Sequence, residues 1–167
     1  MANVDRPNGF VPFGPILRVR PYYAAVACLR GDAVNRKAGS AQVSGRSEVE
    51  PADASEALIG VAANAAAVGE VVFVYDHPDQ EFMVQADEAD ISDGVDMGLN
   101  YNLVATDGSA GQSAHELDSS SGLASATLPL KLLRLAPVVD NALGAQAKCI
   151  VKINNHQLAG GTGVAGV

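Results

Sequence analysis

Short runs of β-forming residues, each closed by a turn former, constrain this chain more than any other feature. Val71-Val-Phe-Val-Tyr75 is entered through Gly69 and left through Asp76-His-Pro-Asp79, a turn cluster, and a run of that length and composition suits a strand. Residues 81–86 follow, with Phe82, Val84 and Ala86 alternating against Glu81, Met83 and Gln85, the period of a half-buried strand. Together the two runs predict a hairpin. Leu128, Leu130 and Leu132 share one face of the segment 126–135, and Cys149, Val151 and Ile153 share one face of 148–153. Pro129 has no N–H for a ladder, so its strand lies at an edge or begins after it. Residues 16–20 and 22–29 are weaker strand candidates, separated by Pro21. Helix is entertained only over 54–57 and the acidic stretch 88–97. The pattern predicts a mostly β fold, a small barrel or sandwich.

The chain has 167 residues, 48% of them hydrophobic. A domain of that size buries about 70% of the surface its unfolded chain exposes. Aromatics make up only 5%, with no Trp, so no single side chain contributes much at about 25 cal/mol per Å² of buried apolar area. Oligomerisation or a bound surface is the usual supplement. Pro7, Gly9, Pro12, Gly14 and Pro15 make residues 1–15 an expected extended arm. Residues 16–157 are expected to form a single β-rich domain, within which 106–122, rich in Ser, Gly and Asp, reads as a long surface excursion. Four glycines after residue 159 make 158–167 an expected flexible tail.

Charge is segregated. Residues 1–46 carry seven bases and two acids, 47–130 carry sixteen acids and no base, and 131–167 carry four bases and one acid, giving a net charge of -8. The acidic block reads as a solvated surface that keeps the protein soluble; the sharper alternative has the block face outward while the basic ends face an acidic partner surface. Nucleic acid is not an expected partner, because its affinity comes from clustered Lys and Arg neutralising phosphates. The apolar stretches 58–67 and 71–75 fall far short of the ~20 residues of a membrane helix, so no membrane partner is expected. The N-terminal Met-Ala-Asn-Val-Asp-Arg-Pro-Asn-Gly places an acid and turn formers where a secretory signal has its apolar core. Synthesis and folding in the cytoplasm are expected.

Catalytic, cofactor and metal motifs fail on context. Gly161-Thr-Gly-Val-Ala-Gly166 matches the dinucleotide fingerprint in letters, yet it lacks the following helix and acidic residue that make the motif work. The acidic run 87–96 fails as a calcium loop, because Ala89, Ile91 and Asn100 fall where oxygen ligands, including a bidentate Glu, are required. His77, His115 and His156 lack zinc spacing. His115, Glu116 and Asp118 stand near Ser119, Ser120 and Ser121 without a nucleophile elbow, which keeps a small hydrolase as the remote alternative. Cys28 and Cys149 are expected to be buried free thiols. No catalytic residue, cofactor site or metal site is assigned.

Several strings resemble the tailed-phage head decoration, or capsid cement, proteins: Met1-Ala-Asn-Val-Asp-Arg-Pro-Asn-Gly-Phe-Val-Pro12, 57–67 leading into 71–82, Asp96-Met-Gly-Leu-Asn100, 128–135 and Ile153-Asn-Asn-His156. The resemblance covers most of the chain in order and is weakest over 38–53. It implies a small, mostly β structural protein, without enzymatic activity, that binds the exterior of an expanded phage capsid as a homotrimer and locks neighbouring major capsid subunits together. Its expected location is the virion, after assembly in the host cytoplasm. On that reading the N-terminal segment grips the capsid or a sister subunit, with Val4, Phe10, Val11 and Phe13 as apolar anchors and Arg6, Arg18 and Arg20 as polar partners. Packing of Phe10 and Phe13 on their own domain is the competing expectation. A head-completion or tail-associated protein is the alternative function.

Overall fold

A computed structural model describes residues 3–39, 43–92, 94–159 and 163–166. Among them the regular structure is β1 (Val11–Phe13), β2 (Val19–Ala24), β3 (Ala33–Arg36), β4 (Glu48–Pro51), β5 (Gly60–Ala62), β6 (Val71–Tyr75), β7 (Glu81–Gln85), β8 (Asn100–Tyr101), β9 (Leu103–Val104), β10 (Glu116–Leu117), β11 (Leu130–Leu135) and β12 (Lys148–Ile153). One 3-10 turn, Ser119–Ser121, is capped by Asp118. The protein is mostly β, and a small closed barrel forms its first half.

The barrel runs β2-β4-β3-β5-β6 and closes where β6 pairs with β2 from Val19↔Tyr75 to Tyr23↔Val71. Its one parallel contact, β2 with β4, is made only at Tyr23↔Glu48 and Ala24↔Val49. Tyr22, Ala24, Val34, Val49, Ile59, Ala62, Val72 and Val74 are buried together with Cys28 and Ala66. A five-stranded barrel has a narrow bore, which Val and Ala fill without strain; the low aromatic content suits this interior. A Cβ on Gly60 would stand 2.3 Å from the Tyr75 carbonyl oxygen, so β5 and β6 pass closely only because that position is glycine. Before β4, Val43 and Arg46 exchange both backbone hydrogen bonds around Ser44 and Gly45, whose φ values are 49° and 75°. That is the hairpin turn whose twist matches its strands.

A second sheet, β1-β7-β12-β11-β8, is antiparallel throughout. Phe10, Phe82, Val84, Leu130, Leu132, Cys149, Val151 and Ile153 form its core, together with Ala33, Leu58 and Val61 from the barrel region. The β9–β10 ribbon adds Leu103 and Leu117. The barrel wall therefore serves as one side of the sheet's core. Both cysteines are free and buried.

Strand positions agree with the sequence, and several connections do not. Residues 71–75 and 81–85 are strands, but they form no hairpin: β6 pairs with β2 and β5, while β7 pairs with β1 and β12. The segment 76–80 crosses from barrel to sheet because Asp76 and Gln80, both buried, are held by partners in the N-terminal segment. Pro21 does not divide two strands; β2 runs through it, opposite Phe73. The β4 pairing starts only at Tyr23, so the missing N–H leaves no ladder gap on that edge. β11 starts after Pro129, and its Leu130 and Leu132 are buried. No α-helix occurs among the described residues. The stretch 106–122 is not a surface excursion throughout, since Ser113, His115, Leu117 and Ser119 are buried, one face of an extended segment.

The expected tail includes residues 160–162 and 167, which lie outside the described residues. Its described part, 163–166, is bonded to the body: Val164 N–H donates to Asn154 Oδ1 at 3.0 Å, the Asn100 amide donates to Val164 O at 2.8 Å, and Gly166 N–H donates to Ala124 O at 3.1 Å.

Candidate binding surface of the N-terminal segment

Residues 3–20 form a strap stitched to both halves of the fold. The Asn3 side-chain amide donates to Ala142 O and Ala145 O at 2.9 and 2.8 Å and accepts from Ala142 N–H at 3.0 Å. Buried Gln85 accepts from Arg6 N–H at 3.1 Å and donates to Val4 O at 3.0 Å. Gln112 donates to Asn8 O at 2.7 Å, and Phe10 N–H donates to Gly31 O at 2.9 Å. β1 then pairs with β7 through Val11↔Met83 and Phe13↔Glu81. Gln80 accepts from Leu17 N–H at 2.9 Å and donates to Phe13 O at 3.3 Å. Three glutamines thus supply the partners that an irregular backbone cannot find within itself.

The sequence-predicted anchors separate in this arrangement. Phe10 is buried, its ring edge-on to Phe82 with centroids 6.4 Å apart, so it is part of the core and presents no surface. Val11 and Phe13 are half-buried, and the Arg134 guanidinium lies over the Phe13 ring at 5.6 Å. Val4 remains 62% exposed, and Arg6 is exposed on the same strap. Ile16, Leu17 and Val19, at 57%, 46% and 40% exposure, were not singled out in the sequence, where they read only as a weak strand. They continue onto the outer face of β2 and β6, where Pro21 stands opposite Phe73, itself 47% exposed. Exposed apolar residues grouped in this way mark interaction surfaces more often than isolated ones do.

Arg18 and Arg20 converge on Asp76. The Arg18 Nε–H donates to Asp76 Oδ1 at 2.7 Å and its terminal amino group to Asp76 O at 2.8 Å. The Arg20 Nε–H and the Tyr22 hydroxyl both donate to Oδ2, the latter at 2.6 Å. Burial alone would raise the Asp76 carboxyl, but the hydrogen bonds from Tyr22, Arg18 and Arg20 outweigh it and hold the group below its ordinary value. Burial and the adjoining carboxylate push the Tyr22 hydroxyl up to about 12. Asp76 was legible in the sequence only as a turn former, and no motif marks a carboxylate that fastens a strap.

Among the described residues, the triad-type residues around His115 form no Ser–His–Asp relay. His115 is buried; its Nε2 faces Asp32 Oδ1 at 3.5 Å, and its Nδ1 accepts from Ala33 N–H at 3.3 Å. Burial lowers its pKa, more than Asp32 raises it, and Ser113 Oγ accepts from the His115 backbone N–H at 3.0 Å. Asp118 accepts from Ser120 N–H and Ser120 Oγ–H at the turn. His156 is buried with Nδ1 accepting from Leu158 N–H at 3.0 Å, and burial pulls its pKa down to about 4. Among the described residues, no three His, Cys, Asp or Glu side chains stand together in a metal-holding cluster, and no helix is long and apolar enough to cross a membrane. No family model matches this chain, and no curated protein matches it.

Proposed function

We propose that this protein is a structural virion component that binds the outer surface of a phage capsid and cements neighbouring major capsid subunits, acting as a homotrimer and carrying out no reaction. The resemblance of its ordered strings to capsid decoration proteins motivates the reading. The observation that carries it on the surface is the strap, which presents Val4, Ile16, Leu17 and Val19 to solvent on a backbone already fixed by side-chain hydrogen bonds. A prefixed segment loses little conformational entropy when it docks. Three such segments in one trimer would make the second and third attachments intramolecular.

The test is co-sedimentation with purified expanded heads lacking this protein. Wild-type chain should pellet with the heads, and Leu17→Asp or Val4→Asp should weaken attachment by about tenfold, the loss of one buried aliphatic contact, while leaving the circular dichroism spectrum unchanged. No attachment by the wild-type chain, or attachment by both variants as tight as the wild type's, would overturn the proposal. Deleting residues 2–13 is a poor substitute, because it removes Phe10 and β1 from the fold. Copy number in purified particles separates cement, present in hundreds of copies, from a neck or tail component, present in few.

A further inference from the structure

β2 meets β4 only from Tyr23 onward, so the barrel wall is open between its first residues and the turn at 43–46. A concavity of about 330 Å³ lies there, lined by Arg20, Pro21, Arg36, Arg46 and Leu158 among others. Arg36 comes from the end of β3 and Arg46 from the hairpin turn. Among the described residues neither guanidinium has a carboxylate within ion-pair distance. Arg46 lies over the Tyr23 ring at 5.7 Å, a stacking that leaves the N–H groups at the rim of its plane available. Arg20 uses its Nε–H on Asp76, and a guanidinium has four further N–H groups.

This grouping runs against the composition. In a chain with 19 acids and 11 bases, three arginines, two of them without an ion pair among the described residues, meet at one opening. We propose that this concavity is a binding site for an acidic peptide segment of a protein partner, in which neighbouring carboxylates engage Arg36, Arg46 and the open side of Arg20, and an aliphatic residue between them rests on Pro21 and Leu158. Planar guanidinium forks match carboxylates in two-point contacts. A nucleic-acid strand fits less well. The adjoining concavity, which shares Arg36, is bordered by Glu48, and Glu50 pairs with Lys37 at 3.6 Å, so a continuing phosphate chain meets carboxylates on leaving the arginines. The inference goes beyond the capsid reading and does not require the partner to be a capsid subunit.

The experiment is a nuclear magnetic resonance titration of the full chain with the capped peptide Glu-Leu-Glu, following the arginine Nε–H and leucine methyl signals. Saturable shifts should centre on Arg20, Arg36, Arg46 and Leu158, and Arg36→Gln and Arg46→Gln should each weaken binding by about fivefold, the worth of one screened charge-assisted contact, with the remaining spectrum unchanged. The capped peptide Gln-Leu-Gln should give no saturable shift at these positions. Three results would overturn the site: no saturation, equal shifts at Arg30 and Lys148, or inorganic phosphate moving the same signals with equal affinity, which would mean a small-anion site only.

Discussion

Asp76→Asn isolates the fastening of the strap. The wild-type carboxylate is fully buried and accepts from Tyr22, Arg18 and Arg20, whose arginine side chains are 36% and 46% exposed. Asn retains one acceptor and places an NH2 group against N–H or O–H donors. Losing a good partner for the buried Tyr22 hydroxyl costs about 1–2 kcal/mol. The two arginine contacts, screened by solvent, add about 0.5–1 kcal/mol each, for a total of about 2–4 kcal/mol. Urea denaturation at pH 7 should show a lower midpoint at unchanged slope. The carboxyl is held below its unfolded-state value, so its stabilisation is complete above that value, near pH 4, and disappears as pH falls through the folded one. The gap between wild type and variant should therefore narrow below pH 4. A loss under about 1 kcal/mol, or a gap that widens in acid, would refute the assignment of Asp76 as the fastening point.

Other substitutions probe separate parts of the fold. Glu116 is raised to about 7 by burial and by Asp5, Asp87 and Glu88, so its ionisation costs stability as pH rises from the ordinary carboxyl range through 7. Glu116→Gln should stabilise by about 1–2 kcal/mol at pH 8, after solvent screening, and by nothing at pH 4, as read from thermal melts. Phe10→Ala should destabilise by about 3–5 kcal/mol, measured in urea, because the ring belongs to the core. Gly60→Ala should cost about 3 kcal/mol by the same measurement, since its Cβ meets the Tyr75 backbone.

The sequence pattern located strands better than their neighbours. Alternation at Phe82, Val84 and Ala86 marked the buried face of β7, and Pro129 marked where β11 starts, because both signals arise within a few residues. The false hairpin shows the limit. Asp76 to Gln80 looks like a local turn, but Asp76 and Gln80 bind residues more than fifty positions earlier, and no local pattern records that. The same applies to buried Gln85 and half-buried Gln112, whose side chains bind the strap. Ser113, His115, Leu117 and Ser119 do alternate, but small polar residues on a buried face hide the period from a reading based on hydrophobicity. For the candidate surface, Val4 and Arg6 were read in the sequence as an apolar anchor and a polar partner in a Pro-rich segment, and both are exposed. The opening at Arg20, Arg36 and Arg46 was not, since it arises where two strands part.

The barrel lies wholly between β1 and β7 in the chain, yet those two strands are partners. Their pairing must bring together ends separated by all of β2 to β6, and the entropy of closing so long a loop is recovered more readily once the intervening residues have already collapsed. β1 is an edge strand of that sheet, joined to β7 through three residue pairs. Without β1, β7 would become the edge of the sheet and would offer its free N–H and C=O groups as a template to a second chain.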